Sequence, residues 1–487
     1  MKKITALLGL ALIVTSCNKL IEKPQSLITK EQSYKTEADA TAGVNAIYNT
    51  MILDPGDQSI YGRNLNFLVD MTTDDLSAGV SAINPNVQSL SKITYDANND
   101  RVAAIWRQHY VGINRANVAI DRIAEINFDQ TSKNNLIREA KFLRALFYFN
   151  IVRLFGGVPL VLHDATSVDL GSLKKNRASV DEVYAQIIKD LEDAESLPQA
   201  TGANIGRATG GAAKSLLAKV YLTRKDWAKA ASKAAEAISG PYGYDLFPSF
   251  ADNFKAARKN TVESIFAAQY EANGGAGISS SIYFITSFPS PTGNRADVPA
   301  DGQLYALYQP GDTRRDATFY TSKVYNGVTY NYTAPGYFNK YVDDALLATP
   351  NLASINFPIL RFSDVLLIYA EALNEKDNAP SSEAYAAINK VRRRAFGKPI
   401  NAPDASVDLT GLDYGSFKAA VYLERRLEFV QEAQRWFDLV RTGRLVAEVS
   451  KVATKTSVAE KNNLFPIPQS EISLNPEGLP QNPGYPR

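Results

Sequence analysis

The amino-acid sequence predicts a mainly α-helical fold, in which tetratricopeptide-like helix pairs form a curved scaffold around a large, irregular, loop-rich insertion with a few short strands. In residues 139–162, Leu143 and Phe147 belong to an apolar face that is too wide for a surface helix, so other helices must cover it. Residues 212–239 contain two alanine-rich helical patterns separated by a short turn. Residues 240–356 lose helical periodicity and are rich in Pro, Gly, Asn and Ser.

Length and composition are those of a globular protein with a substantial core. The chain has 487 residues, of which 45% are hydrophobic and 21% are charged. The net charge is +2, and removal of residues 1–16 takes away two lysines and leaves 51 basic and 51 acidic residues. A nucleic-acid-binding domain needs a basic excess on one face, so the sequence predicts no nucleic-acid partner.

Residues 1–16 have the features of a secretory signal peptide. Lys2 and Lys3 form a basic start, and residues 4–14 form an apolar stretch that is too short to span a bilayer. We therefore expect this segment to be removed during export.

Cys17 is the only cysteine of the chain, which excludes an intrachain disulfide and a cysteine-based zinc site. Residues 14–17, Val-Thr-Ser-Cys, resemble a bacterial lipobox. A lipobox predicts that Cys17 is lipidated and becomes the first residue of the mature protein, where several acyl chains anchor it stably to a membrane. Residues 17–26 then form a tether and residues 27–487 a single domain. The alternative is an ordinary signal peptide followed by a coincidental cysteine.

The first part of the domain combines one helix with a long irregular stretch. Residues 37–53 have helical periodicity, whereas residues 54–100 are rich in Gly, Asn, Asp and Ser and predict loops. The segment that starts at Asp96, Asp-Ala-Asn-Asn-Asp, resembles a calcium-binding loop. Arg101 and Arg107 occupy the positions of the required Gly and Glu, so we expect no metal there.

Residues 102–125 and 136–155 predict two long antiparallel helices. Trp106 lies on the apolar stripe of the first helix, which favours a core position over an exposed ligand platform. A third helix, residues 180–196, is expected to begin with the capping box Ser179-x-x-Glu182.

The next helix pair, residues 212–239, resembles a tetratricopeptide repeat. Small side chains such as Ala230 and Ala234, close to Trp227, would let the two helices approach closely. A second pair is expected at residues 363–374 and 381–395. We expect about four helix pairs to form one scaffold, spanning about residues 37–240 and 357–450.

The insertion, residues 240–356, is unusually aromatic. Ten tyrosines and four phenylalanines lie between residues 270 and 341, with little helical periodicity. Asn326 and Gly327 favour a tight turn, so we expect a hairpin of short strands near residues 323–332.

Four segments and the lipobox, in this order, carry a family resemblance. The segments are residues 139–162, 357–372 (FPILRFSDVLLIYAEA), 423–441 and 463–485. Together they resemble the signatures of the SusD/RagB-like family of outer-membrane nutrient-binding lipoproteins. The insertion, about residues 240–345, matches no recognisable signature of this family. The proline-rich tail, residues 463–487, is expected to run extended over the helices.

Ten charged residues of these signatures superficially resemble an active site. Paired carboxylates also occur in glycosidases, but arginine–carboxylate pairs commonly lock helices together, and we favour this structural role. No motif for a catalytic nucleophile is present, so the sequence predicts neither an enzyme nor a cofactor. These ten residues are Arg361, Asp364, Glu371, Glu424, Arg425, Arg426, Glu428, Arg435, Asp438 and Arg441.

The resemblance implies a lipid-anchored, surface-exposed outer-membrane protein. Such a protein captures a nutrient, most often an oligosaccharide, and passes it to a partner TonB-dependent transporter. Sugars stack their C–H faces on aromatic rings and bond amides or carboxylates through their hydroxyl groups. The candidate ligand-binding residues are Tyr283, Tyr305, Tyr330, Tyr337, Asp75 and Asn98.

Two other functions remain open from the sequence. A helical-repeat scaffold at the outer membrane would bind peptides or protein partners on its concave helix surface. A hydrolase would need an active site outside the known motifs. Loss of ligand binding on deletion of residues 270–341 would argue against the scaffold hypothesis and favour nutrient binding by the insertion. Release of reducing sugar from a glycan would indicate a hydrolase.

Overall fold

The computed structural model describes residues 34–52, 59–79, 82–165, 169, 171, 174–271, 297–301, 303–325, 327–343 and 354–486. The candidate residues Cys17 and Tyr283 lie outside these ranges, as do the predicted signal peptide and tether. Among the described helices, none has the combination of length and apolarity that a bilayer-spanning helix requires.

Sixteen α-helices, together with a few short 3-10 and π-helical turns, contain 53% of the described residues, which confirms the mainly helical fold class. The first eight are α1 (Glu37–Thr50), α2 (Leu65–Val69), α3 (Pro85–Ser91), α4 (Asp100–Glu125), α5 (Gln130–Phe155), α6 (Val180–Ala194), α7 (Gly210–Thr223) and α8 (Trp227–Ser239). The others are α9 (Gln303–Ala306), α10 (Arg314–Thr318), α11 (Phe362–Asp377), α12 (Ser382–Ala395), α13 (Tyr414–Glu428), α14 (Arg435–Arg441), α15 (Leu445–Val449) and α16 (Gln469–Leu474).

Helix α5 is the centre of the core, and α4 and α6 pack against it. Gly112 of α4 lets the two long helices approach, because a Cβ atom there would lie 2.5 Å from the ring of Phe147. Trp106 is buried and its ring meets Phe155 edge-on at 5.1 Å, so the predicted core position is confirmed. Helix α5 ends at Gly156, whose φ of 76° suits glycine.

The predicted helix pairs are present as α7–α8 and α11–α12, and α8 also packs against α11. Ala230 and Ala234 are buried where α8 meets its neighbours, as expected for close helix packing. The capping box at the start of α6 is also confirmed, since Ser179 accepts from the Glu182 backbone N–H and Glu182 accepts from that of Ser179.

Within the described ranges, eight short strands form four separate two-stranded antiparallel sheets, paired as β1–β3, β2–β8, β4–β7 and β5–β6. The predicted hairpin is confirmed as β5–β6. The strands are β1 (Leu76–Ala78), β2 (Ser264–Ala268), β3 (Asp297–Pro299), β4 (Phe319–Tyr320), β5 (Ser322–Tyr325), β6 (Val328–Asn331), β7 (Tyr337–Phe338) and β8 (Phe357–Arg361).

The prediction of loops alone for residues 54–100 was wrong, because α2, α3 and β1 lie there. Helix α3 has a local signal that was missed: Asn84 caps it and Pro85 occupies its first turn. The segment that resembles a calcium loop is instead a helix start, since the Asn99 side chain accepts from the first backbone N–H groups of α4.

The C-terminal tail packs over α4 and α5, mostly as extended chain. The backbone N–H of Phe465 donates to the Leu154 carbonyl at 2.8 Å, and the Asn482 amide donates to the carbonyls of Phe155 and Phe465. The expectation of a fully extended tail was wrong at α16, which starts directly after Pro468. Proline at a helix start costs no hydrogen bond, so it does not prevent this turn.

Candidate functional site

The structure joins the two irregular segments that the sequence singled out. Strand β1, from the first segment, pairs with β3, from the insertion. The backbone N–H of Ala300 extends this ladder by donating to the Asp75 carbonyl at 2.9 Å. A small second core lies beneath this junction, formed by Leu76, Leu304, Tyr308, Phe319, Phe338, Leu427 and Val430. The two candidate ligand-binding segments therefore pack on the same small hydrophobic core.

Three tyrosines of the insertion form a compact group, here called the tyrosine cluster. The ring centroids of Tyr320 and Tyr332 are 5.8 Å apart, those of Tyr320 and Tyr337 6.0 Å, and those of Tyr332 and Tyr337 4.8 Å. Tyr332 and Tyr337 are half-buried, so the cluster has both a packed side and an accessible side. The Lys323 ammonium lies 5.7 Å from the Tyr320 ring centroid.

The hairpin β5–β6 extends the tyrosine cluster. Tyr330 pairs directly with Lys323, and the backbone N–H of Tyr332 donates to the Thr321 carbonyl. Side chains alternate along a strand, so Tyr330 and Tyr332 share one face of the hairpin. Val324 points to the other face and is 58% exposed. The structure therefore brings two of the predicted residues, Tyr330 and Tyr337, to the same region.

Tyr305 lies on the opposite side of the β4–β7 ladder. Its ring meets Phe319 edge-on at 5.5 Å, and the Arg315 guanidinium lies 5.5 Å from its centroid. Phe319 pairs with Phe338, whereas Tyr320 pairs with Tyr337, so the two pairs point to opposite faces. The structure does not place Tyr305 in the tyrosine cluster.

Asp75 is buried in an ion-pair group rather than displayed at the surface. It is 1% exposed, and the Arg426 guanidinium donates to its carboxylate at 2.8 Å. Burial raises the pKa of Asp75, although Arg426 opposes the shift. These contacts suit a residue that fixes the start of β1. Direct contact between Asp75 and a ligand stays a prediction.

Asn98 is exposed in the turn before α4. Its backbone N–H donates to the Asp96 carboxylate at 2.8 Å, which stabilises the turn. No residue of the tyrosine cluster is bonded to it among the described hydrogen bonds. Its role as a polar ligand contact also stays a prediction.

Lys455 anchors the segment that leads into β1. Its buried ammonium donates to the backbone carbonyls of Met71, at 2.6 Å, Thr73 and Leu76. Burial lowers the pKa of Lys455 to about 7, and the carboxylates of Asp74 and Asp75 oppose this shift. Three carbonyl acceptors need three N–H donors, which only the ammonium form supplies. The charged form therefore fits this position.

The signature charges form buried ion pairs, which confirms their predicted structural role. Arg361 bonds Glu428 at 2.9 Å and Glu432 at 2.8 Å, and Arg314 bonds Glu424 at 2.7 Å. Burial raises the pKa of Glu428, but the guanidinium groups of Arg394, Arg361 and Arg314 together hold it well below its usual value. Further pairs join Lys219 and Arg425 to Asp364, Arg425 and Arg441 to Asp438, Arg441 to Glu371, and Arg435 to Asp74.

Tyr320 and Tyr332 also belong to the candidate site, although neither was among the residues predicted from the sequence. A signal was available, because Tyr330 and Tyr332 are two positions apart on a predicted strand and must share a face. The contact between Tyr332 and Tyr337 had no such signal, because it depends on how two sheets meet.

Sequence comparisons match nearly the whole chain. Residues 243–485 match the model of the SusD family, and residues 27–222 match a model described as starch-binding and associating with the outer membrane. The SusD-like protein P2 of Formosa agariphila is 31% identical over 98% of each chain. The starch-binding protein SusD of Bacteroides thetaiotaomicron is 22% identical over 82% of each chain.

Solved structures share the same architecture. A SusD homologue from Bacteroides thetaiotaomicron superposes with a TM-score of 0.82 at 25% identity, over 94% of this chain and 98% of that chain. A laminarin-binding SusD-like protein superposes with a TM-score of 0.76 at 29% identity, over 93% of this chain and all of the other.

Proposed function

This chain belongs to the SusD/RagB-like family, and we propose that it is a cell-surface lipoprotein that binds an oligosaccharide without cleaving it. In this proposal, residues 1–16 are removed, Cys17 carries the lipid anchor, and residues 27–487 form the binding domain at the outer membrane. The bound sugar passes to a partner TonB-dependent transporter. The names of its relatives support the ligand class, since one is starch-binding and another binds laminarin.

The tyrosine cluster is the observation that carries this proposal. Its two half-buried members offer ring surface to a ligand while Tyr320 and the second core hold them in place. A sugar ring has an apolar C–H face that stacks on such rings, and Lys323 at the edge can donate hydrogen bonds to hydroxyl groups. We therefore place the oligosaccharide across Tyr330, Tyr332 and Tyr337.

Binding without turnover also agrees with the state of the buried carboxylates. Glu424, Glu428 and Asp438 are each held by arginine in the protein interior. A glycosidase instead needs one carboxyl group that can give up a proton beside the scissile bond. The family assignment supports the same conclusion.

Calorimetry on the mature chain without its lipid tests the proposal. Laminarin, starch and other oligosaccharides would be titrated, and each mixture would then be assayed for shortened products. We expect saturable binding of one glycan class and no products. Tyr332→Ala should weaken this binding about fivefold, since a stacked ring contributes on the order of 1 kcal/mol.

Tyr242→Ala provides a matched control. Tyr242 is also half-buried and stacks on another tyrosine, Tyr244, but it lies outside the candidate site. Equal loss of affinity in both variants would contradict the assignment of the site. Binding of peptides in place of glycans would instead favour a helical-repeat scaffold for protein partners.

A further inference from the structure

A cavity lies between α4 and the C-terminal helix α16, and it shares no lining residue with the tyrosine cluster. Its volume of about 780 Å³ is in the range of small-molecule sites. One face of α4 forms one wall, α16 and the chain after it form the other, and Pro159 and Val161 lie between them.

The lining of this groove suits a sugar ring. The half-buried Tyr110 offers ring surface to the groove, and the buried Trp106, one helical turn earlier on α4, supports it with ring centroids 5.2 Å apart. The Tyr110 hydroxyl donates to the Pro159 carbonyl at 2.8 Å, which fixes its half-buried ring. Asn114 adds an amide group at the rim. An aromatic ring with a nearby amide is a combination that binds carbohydrates.

The charge of the groove is strongly one-sided. Arg107, Arg115, Lys174 and Lys175 line it, against a single carboxylate, that of Glu471. The Arg115 guanidinium is held in place by the Thr50 hydroxyl at 2.7 Å. Lys174 and Lys175 are exposed at the rim. An anionic ligand would therefore meet a positive field on entering.

The groove is already formed in the free protein. The Asn475 side chain donates to the Lys175 carbonyl at 3.0 Å, and the backbone N–H of Arg177 donates to the Gly478 carbonyl at 3.0 Å. The Arg177 side chain also donates to the Pro480 carbonyl. These bonds join the segment that carries Lys174 and Lys175 to the C-terminal tail. Because this side of the groove is already ordered, ligand binding does not have to offset the cost of ordering it.

We propose that this groove is a second carbohydrate site, which takes an anionic sugar unit with its ring against Tyr110 and its acidic group toward Lys174 and Lys175. The acidic group is either the carboxylate of a uronic acid or a sulfate ester. The inference does not depend on the function proposed for the tyrosine cluster.

Calorimetry with defined probes tests this site and separates the two sources of negative charge. The probes are a galacturonic acid tetrasaccharide, a sulfated carrageenan tetrasaccharide and a neutral galactose tetrasaccharide. We expect saturable binding of at least one anionic probe, weaker binding at high salt, and much weaker binding of the neutral probe. The double variant Lys174→Glu/Lys175→Glu should bind the anionic probe at least about tenfold more weakly.

The double variant Lys189→Glu/Lys229→Glu is the matched control, because it makes the same change of net charge at two exposed lysines outside the groove. It should retain full affinity, as should Tyr332→Ala. Three results would each overturn the proposal: no saturable binding of either anionic probe, equal loss in both double variants, or loss of binding in Tyr332→Ala.

Discussion

Arg435 and Asp74 are joined by two parallel hydrogen bonds although they are 361 positions apart. The Arg435 Nε donates to Oδ1 of Asp74 at 2.9 Å, and Nη2 donates to Oδ2 at 2.8 Å. Both residues are buried. Arg435 begins α14, and Asp74 lies two residues before β1, so this pair ties the helical scaffold to the candidate site.

The Arg435–Asp74 pair should be important for stability. Arg435→Met leaves Asp74 and Asp75 to share the Arg426 guanidinium among the described ion pairs, and we expect it to lower the free energy of unfolding by about 3–5 kcal/mol. Urea denaturation measures this change. Adding Asp74→Asn should recover part of the loss, because only one carboxylate, that of Asp75, then pairs with Arg426. If the two substitutions were simply additive, the direct coupling would be refuted.

Lys455 should stabilise the protein through its bonds to three backbone carbonyls. Lys455→Met leaves three carbonyl groups without their donor, and we expect a loss of about 3 kcal/mol or more in the free energy of unfolding. Lys451→Met is the control, because Lys451 is exposed and pairs only with Glu448 at the surface. Similar denaturation curves for the two variants would disprove the anchoring role.

His109 should make stability depend on pH. Burial lowers the pKa of His109 to about 4, and its ring is bonded to the Ile105 carbonyl and the Asn150 amide. The unfolded chain takes up a proton near pH 6.5, whereas the folded protein does so only near pH 4. The free energy of unfolding should therefore fall by about 3 kcal/mol as pH is lowered through this window.

Denaturation midpoints between pH 7 and pH 4 measure the effect of His109. His109→Gln should flatten this part of the profile, while His163→Gln should not, because His163 is 82% exposed on its side chain. A wild-type slope in His109→Gln would rule out His109 as the source.

The two faces of the β5–β6 hairpin should differ in their effect on sugar binding. Tyr330→Ala should weaken binding of the glycan identified by calorimetry about fivefold, because it removes a ring on the face of the tyrosine cluster. Val324→Ala, on the opposite face, should leave affinity unchanged. Equal effects, measured on variants with unchanged circular dichroism, would place the ligand elsewhere.

Cys17 should determine membrane attachment. Cys17→Ala removes the only thiol that a lipoprotein pathway can modify, so the protein should move from the membrane fraction to the soluble fraction and lose labelling by a palmitate analogue. Fractionation and labelling in the native bacterium measure both effects. Retention of label in the variant would exclude Cys17 as the lipidation site.

Local patterns were enough to predict the helical part of the fold. The wide apolar face around Phe147, the capping box at Ser179 and the turn at Asn326–Gly327 each act over a few residues. They correctly located α5, α6 and the β5–β6 hairpin. The charge clusters of the signatures were correctly assigned to ion pairs on the same basis, because they recur on otherwise apolar helices.

Only the tertiary structure decided which distant segments meet. The sequence could not show that β1 pairs with β3, that Arg435 reaches Asp74, or that Tyr337 joins Tyr332 while Tyr305 faces the other way. Local propensity and periodicity determine which elements form, since they depend on neighbouring residues. The candidate site depends on contacts between segments far apart in the chain, and these are selected by the packing of the whole core.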